Sequence, residues 1–425
     1  MAFLLYVLYL CASYLRPAEL WPELANLRPM LWLGWGALAA AIIAIPFGNR
    51  VPWRMPQIWL MLGLIGSIML SRVMNGWTGG AIVAFVDFGP SFLLFFLTIL
   101  NVISWRRLRI VAGLLAALTL VITMQSIAGY HFGYLEDRLV TTQGVGEDPA
   151  TGEYASYIHR IKHLGFLNDP NDLGQAIVCV LPILAAVWTP RRLLRNVVLV
   201  LLPISVLGYG VFLTHSRGAL LGILAFLFLT FRKRIGTKWC MALVTLVIAG
   251  ALAINVSGGR SFSSKEESAA NRIDAWSAGI DMLRSAPAFG VGYGTFTDHN
   301  DLTAHNSFVL CFAEIGIAGY FFWLSMIALT LVGLAKAERS SPEARWPRIL
   351  LHCGAAFLVC AWFLSRTYIP TLYLLFALGT AGIALAVPAG QERPRFLRWT
   401  ARAGALEFAS IFAVYLIVRV QHVIQ

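Results

Sequence analysis

Six runs of this chain, at 80–100, 109–127, 173–189, 196–213, 239–255 and 370–389, are apolar almost throughout. Each approaches the roughly 20 residues that a helix needs to cross a bilayer. Few folds are open to such a chain. In lipid every backbone N–H and C=O must be satisfied inside the structure, which a helix achieves and an open sheet edge does not. The 3.6-residue period is weak in these runs, as expected for helices surrounded by lipid or by other helices. Only 13% of the residues are charged, against roughly 25% in a soluble domain, so a water-facing surface of this size could not be covered. The first segment lacks a basic leader and a small-residue cleavage site, and reads as the first span rather than as a cleaved signal.

The formal net charge of +12 raises the question of nucleic acid. The distribution answers it. Lys and Arg concentrate in short connections, at Arg50 and Arg54, Arg106 to Arg109, Arg191 to Arg195, Arg232 to Lys238, Lys336 to Arg348 and Arg393 to Arg402. These alternate with acidic or neutral connections, the pattern of cytoplasmic loops. The partner implied is the lipid bilayer, with no nucleic acid, and the N-terminus is placed in the cytoplasm. The six cysteines (Cys11, Cys179, Cys240, Cys311, Cys353, Cys360) lie in or at the edge of apolar segments. They read as packing residues.

The expected fold is all-α, a polytopic transmembrane bundle of about twelve spans. They fall near 2–15, 30–47, 57–70, 80–100, 109–127, 173–189, 196–213, 217–231, 239–255, 305–335, 349–364 and 370–389. The stretch 403–420 carries Glu407 and Arg419 and reads either as a thirteenth span or as an interfacial helix. The chain divides into N-terminal helices at 1–127, a first outer loop at 128–172, central helices at 173–255, a large second outer loop at 256–304 and C-terminal helices at 305–425. Loops of this length favour a functional role.

The first loop is turn-rich at Gly144-Val145-Gly146-Glu147-Asp148-Pro149. It ends in Asn168-Asp169-Pro170-Asn171-Asp172, read as a turn with Asn171 or Asp172 capping a helix. The second is polar over 257–268 and then carries an amphipathic helix near 270–285, with Ile273, Trp276, Ile280 and Leu283 on one face. Pro287 stops that helix, and Gly290, Gly292 and Gly294 form a tight turn. The following span, 305–335, would be roughly 46 Å long at 1.5 Å per residue. It must project, tilt or break, with Gly316 and Gly319 as break points.

Charge and titratable groups in apolar surroundings mark the candidate chemistry. Arg217 sits between two apolar segments at the outer side, where its fork of donors suits either lipid phosphate or a bound anion. Arg272 starts the amphipathic helix. His305 opens a helix in His305-Asn306-Ser307-Phe308 and is able to exchange a proton near neutral pH, although a capping role suits it equally. Glu314 lies inside an apolar run and must meet an arginine or water; Asp87 is similar, and His215 and His299 are weaker candidates. No HExxH, CxxC, P-loop or GxSxG motif occurs. The Gly290–Gly294 stretch shares letters with a potassium filter but lacks a pore helix and a preceding threonine.

Taken in order, His215-Ser216-Arg217-Gly218-Ala219-Leu220, Asn271-Arg272-Ile273-Asp274-Ala275-Trp276, Pro287 to Phe296, His305-Asn306-Ser307-Phe308 and Glu314-Ile315-Gly316 resemble the O-antigen ligase and polymerase family. The resemblance covers about 205–330. It implies a glycosyltransferase of the bacterial inner membrane whose active site faces the periplasm. The donor would be a polyprenyl diphosphate-linked glycan, and the acceptor a lipid A-core, another glycan or a protein. It implies Arg217 and Arg272 as the arginines on the diphosphate and His305 as the essential histidine. His215, Asn306, Glu314 and Arg160 join them as further residues for diphosphate or glycan. With no acidic cluster in the motifs, neither metal nor cofactor is expected. Ligation, chain polymerisation and protein O-glycosylation share these motifs and stay open at this point. A lipid or polysaccharide transporter is the alternative of a different class; it would favour broken helices at the midplane and internal repeats.

Overall fold

A computed structural model describes residues 1–46, 52–147, 154–253, 267–340, 343, 345–386 and 396–424. Each of the twelve expected segments holds a helix, and 403–420 falls within another. Eight helices among the described residues are long and apolar enough to cross a membrane, Trp399–Gln421 among them. The polar start of the second long loop, up to residue 266, lies outside the described residues, as do Asp148 and Pro149 of the first. The chain forms two compact units.

The first unit comprises Met1–Asn49, Leu100–Ser261 and Arg348–Cys360. It holds α1 (Ala2–Leu15), α2 (Pro29–Ala44), α5 (Trp105–Phe132), α6 (Pro170–Ala185), α7 (Leu202–Thr214), α8 (Arg217–Ile235) and α9 (Thr237–Ala253). Between these in sequence, α3 (Pro56–Met74) and α4 (Gly80–Asn101) belong to the second unit. Helix α6 is only 16 residues long, roughly 24 Å at 1.5 Å per residue, short of the bilayer's ~30 Å core. It does not need to meet lipid: it is buried from Leu173 to Leu184, packed against α5, α7 and α8. By contrast α2 exposes Trp32, Trp35, Ile42 and Ile43, the side chains expected to face acyl chains.

The first long loop, expected on the outer side, is not an irregular turn region. It contains an antiparallel hairpin, β1 (Val140–Glu147) and β2 (Tyr154–Ile161), with Thr141 opposite Arg160 and Gln143 opposite Ile158. Gly144 to Glu147, expected in a turn, are strand residues. A small apolar core of Leu20, Leu139 and Leu164 ties the loop to the segment after α1. Glu19 adds to this, pairing with Arg16 at 3.1 Å and accepting the Gly165 N–H at 3.0 Å. The cap of α6 also differs from expectation. Asp169 is the N-cap, its carboxylate accepting the Asn171 N–H at 2.8 Å. Pro170 takes the first helical position, where its fixed φ fits and its missing N–H costs nothing.

The second unit comprises Arg50–Ile99, Phe262–Pro347 and Ala361–Gln425. Its axis is α11 (Ser307–Ser340), packed against α3, α10 (Glu267–Ser285), α13 (Pro370–Ala386) and α14 (Phe396–Ile424); α12 (Arg345–Ala361) lies almost wholly in the first unit. The long helix breaks, and it breaks at Gly316 (φ 62°, ψ −170°); Gly319 stays helical. A break inside a helix frees backbone groups that must find partners. The segment Pro287 to Gly292 supplies them. Val291 N–H donates to Ala313 O and Gly292 N–H to Glu314 O, both at 3.0 Å; Ile317 N–H donates to Pro287 O at 2.9 Å and Ala318 N–H to Ala288 O at 3.1 Å. Only glycine fits at the crossing, because a Cβ on Gly316 would lie 2.5 Å from backbone atoms of Ala288, Phe289 and Gly290.

Candidate functional site

In the first unit the candidate residues gather on the turn between α7 and α8. Thr214 ends α7, and His215 adopts the left-handed conformation with φ 48°. Ser216 caps α8 by accepting the Ala219 N–H at 3.3 Å, and Arg217 is the first helical residue. The reversal takes two residues, so Arg217 is set at the mouth of the α7–α8 hairpin, half-buried. Arg160 reaches this turn from β2. Its Nε donates to Thr214 O at 2.8 Å, Nη1 to Gln143 Oε1 at 2.7 Å and Nη2 to Asn171 Oδ1 at 3.1 Å. Below the turn, stacked rings of His131, Tyr209 and Phe212 lead up to His215.

Nearby, His163 is fully buried, its Nε2 hydrogen-bonded to Gln125 Oε1 at 3.1 Å. Burial lowers its pKa to about 4, so it is a neutral structural histidine.

In the second unit α10 carries Arg272 and, one turn on, Trp276 on the same face. The Trp276 indole Nε1–H donates to Ala304 O at 2.9 Å. That carbonyl belongs to the residue before His305, which is also left-handed with φ 48°. Asn306 then caps α11, its Oδ1 accepting the N–H groups of Phe308 and Val309. Ser307 is fixed to the turn after α12: its hydroxyl accepts Arg366 N–H at 2.8 Å, and its carbonyl accepts from Thr367 Oγ1 at 2.6 Å. His305 thus sits half-buried on a turn anchored on both sides. Asn306 is fully buried and its oxygen is spent on capping.

Glu314 is 3% exposed. Its Oε1 accepts the Phe296 N–H at 3.2 Å and its carbonyl accepts Gly292 N–H, so it holds the glycine turn from beneath. Gly290, Gly292 and Gly294 all have positive φ there. The positive charge acting on Glu314 is Arg72 of α3, which stacks on Trp77 with its guanidinium 5.2 Å from the ring centroid. The same turn docks on the end of α3, where Tyr293 N–H donates to Ser71 Oγ and Asn75 Nδ2 to Gly290 O. Asp87 and His299 are exposed.

Arg72 and Arg366 were not among the residues read from the sequence. Both lie close to the ends of apolar runs, away from the clusters of Lys and Arg, and that isolation was the available signal.

The class defined by this fold is a multi-pass helical membrane protein with two histidine-bearing turns at helix ends, one followed directly by Arg217. Residues 201–324 match a family model described as O-antigen ligase, and over that stretch the resemblance seen in the motifs is shown. Arg217, Arg272, His305, His215, Asn306 and Glu314 lie inside the match; Arg160 lies before it. No curated protein matches the chain.

Proposed function

We propose that this chain is a membrane glycosyltransferase that moves a glycan from a polyprenyl diphosphate carrier to an acceptor hydroxyl on the periplasmic side of an inner membrane. The observation that carries the reading is that the O-antigen ligase match contains Arg217, Arg272 and His305 together, two of them bearing a planar fork suited to diphosphate oxygens. In the reaction the acceptor oxygen bonds to the anomeric carbon while the bond from that carbon to the diphosphate oxygen breaks. The electron pair leaves with the polyprenyl diphosphate, whose growing charge Arg217 and Arg272 stabilise. His305 takes the acceptor proton and returns it to solvent. Lipid A-core, a second lipid-linked glycan and a protein are the acceptor classes within this reading.

The test is His305→Ala in the purified protein. Loss of a general base lowers rates by about 10²–10⁴-fold. The variant should therefore bind the lipid-linked donor as the wild type does and fail to transfer it. Weakened donor binding with intact turnover at saturation would overturn the assignment of His305 as base.

A further inference from the structure

The first outer loop lies outside the O-antigen ligase match, and its hairpin and Asn168–Asp172 stretch have no role in the reaction as proposed. The geometry points to one: we infer that Arg160 is a positioning residue, which fixes the turn that presents Arg217. This rests on the reading of Arg217 as a diphosphate cation.

Arg160 is 5% exposed and spends Nε and both terminal nitrogens on protein acceptors. A guanidinium placed to receive an anion keeps its fork open; this one faces inward. Its three acceptors belong to three elements, β1, the start of α6 and the end of α7. The bond to Thr214 O matters most. Carbonyls in the last turn of a helix lack intrahelical partners, and the residue after Thr214 is a histidine in left-handed backbone, a conformation held only when its surroundings impose it. Arg160 holds the chain on the near side of that strained residue, and the Ser216 cap holds it on the far side. Helix α6 closes in as well: a Cβ on Gly174 would lie 3.0 Å from Ala219 Cβ and 3.3 Å from Ser216 Cβ. The stretch from Asn171 to Gly174 and the hairpin are thus assembled around the two residues that precede Arg217.

The test uses the full chain in lipid nanodiscs, with Arg160→Met, Arg217→Lys and the double variant, read by hydrogen exchange and by donor-dependent transfer. Arg160→Met should raise amide exchange at 214–219 while the interior of α5 is unchanged. It should raise the donor KM by about tenfold or more, the scale of a hydrogen bond to a charged group. In the Arg217→Lys background it should add less than about threefold, because coupled residues do not add. Unchanged exchange at 214–219, or a uniform rise across the unit, would overturn the inference. So would a double variant whose loss is the product of the two single losses, which would make Arg160 a separate contact. Should Arg160→Met not accumulate, Asn171→Ala, which removes one of its three acceptors, should raise exchange over the same residues to a smaller extent. If the wild type shows no transfer, the proposed function fails, and the exchange measurement still decides whether Arg160 fixes the turn.

Discussion

Replacing Trp276 by phenylalanine keeps a six-membered ring in the packed site and removes the pyrrole portion of the indole with its N–H donor. Trp276 and Ala304 are both buried, so the Ala304 carbonyl would lose its partner where water does not readily replace it. An unsatisfied buried carbonyl costs about 1–3 kcal/mol. That is the same size as the roughly 1–3 kcal/mol stored in a residue held at positive φ, here His305 at 48°. Removing the bond therefore makes release of the strained turn competitive with keeping it. At about 1.4 kcal/mol per factor of ten, turnover should fall by roughly 5- to 150-fold. That places Trp276→Phe between the wild type and His305→Ala. Donor KM should change by less than about threefold, since neither arginine fork is touched. Initial rates over a donor series, beside thermal unfolding in the same detergent, measure both. A lowered unfolding midpoint with unchanged kcat would show that the bond supports the fold alone, and would refute the claim that the placement of His305 depends on it.

Other expectations follow from the same geometry. Gly316→Ala should cost at least about 3 kcal/mol, because the backbone region it occupies is essentially confined to glycine and its Cβ would meet three backbone atoms. Gly66→Ala, with open space around it, serves as the control and should leave the unfolding midpoint unchanged or raised. His163 has its pKa lowered from 6.5 to about 4 in the fold, so the unfolded chain binds a proton first as pH falls. Its contribution is complete above about pH 6.5 and is lost on the way down to pH 4, about 3 kcal/mol in all; His163→Gln should flatten the fall in stability across that window. A cysteine at Asp301, introduced with Cys11→Ser, should react with a membrane-impermeant thiol reagent in cells with a permeabilised outer membrane. Labelling only after inner-membrane lysis would reverse the topology.

The helices were legible because lipid leaves so few alternatives. Every apolar run found in the sequence holds a helix among the described residues, and the excess length of 305–335 called for a break that Gly316 provides. What the break does was not legible. The backbone groups it frees are satisfied by residues some 25 positions earlier, and no local pattern reports such pairing. The hairpin of the first loop was missed for a related reason. Its buried face presents Arg160 and Gln143 rather than an alternating apolar stripe, so the period-2 signal of a half-buried strand is absent. Arg160 was expected among the residues for diphosphate or glycan, and nothing in the sequence reveals that its Nε and both terminal nitrogens bond to protein acceptors. Glu314 is similar. A carboxylate inside an apolar run reads as chemistry, while in the fold it organises the backbone of the glycine turn together with Arg72. The candidate cap at Asn171 or Asp172 lost to Asp169 because the proline at the next position fixes where the helix begins.

Reconstitution measures glycan transfer itself. Purified protein in nanodiscs is given a polyprenyl diphosphate-linked glycan with, in parallel, lipid A-core, a second lipid-linked glycan or a candidate protein. Free polyprenyl diphosphate and glycosylated acceptor are quantified together. One acceptor should be glycosylated, with one polyprenyl diphosphate released per glycan transferred and both signals absent in His305→Ala. Intact donor beside all three acceptors, or donor moved across the bilayer without cleavage, would contradict the proposed transfer.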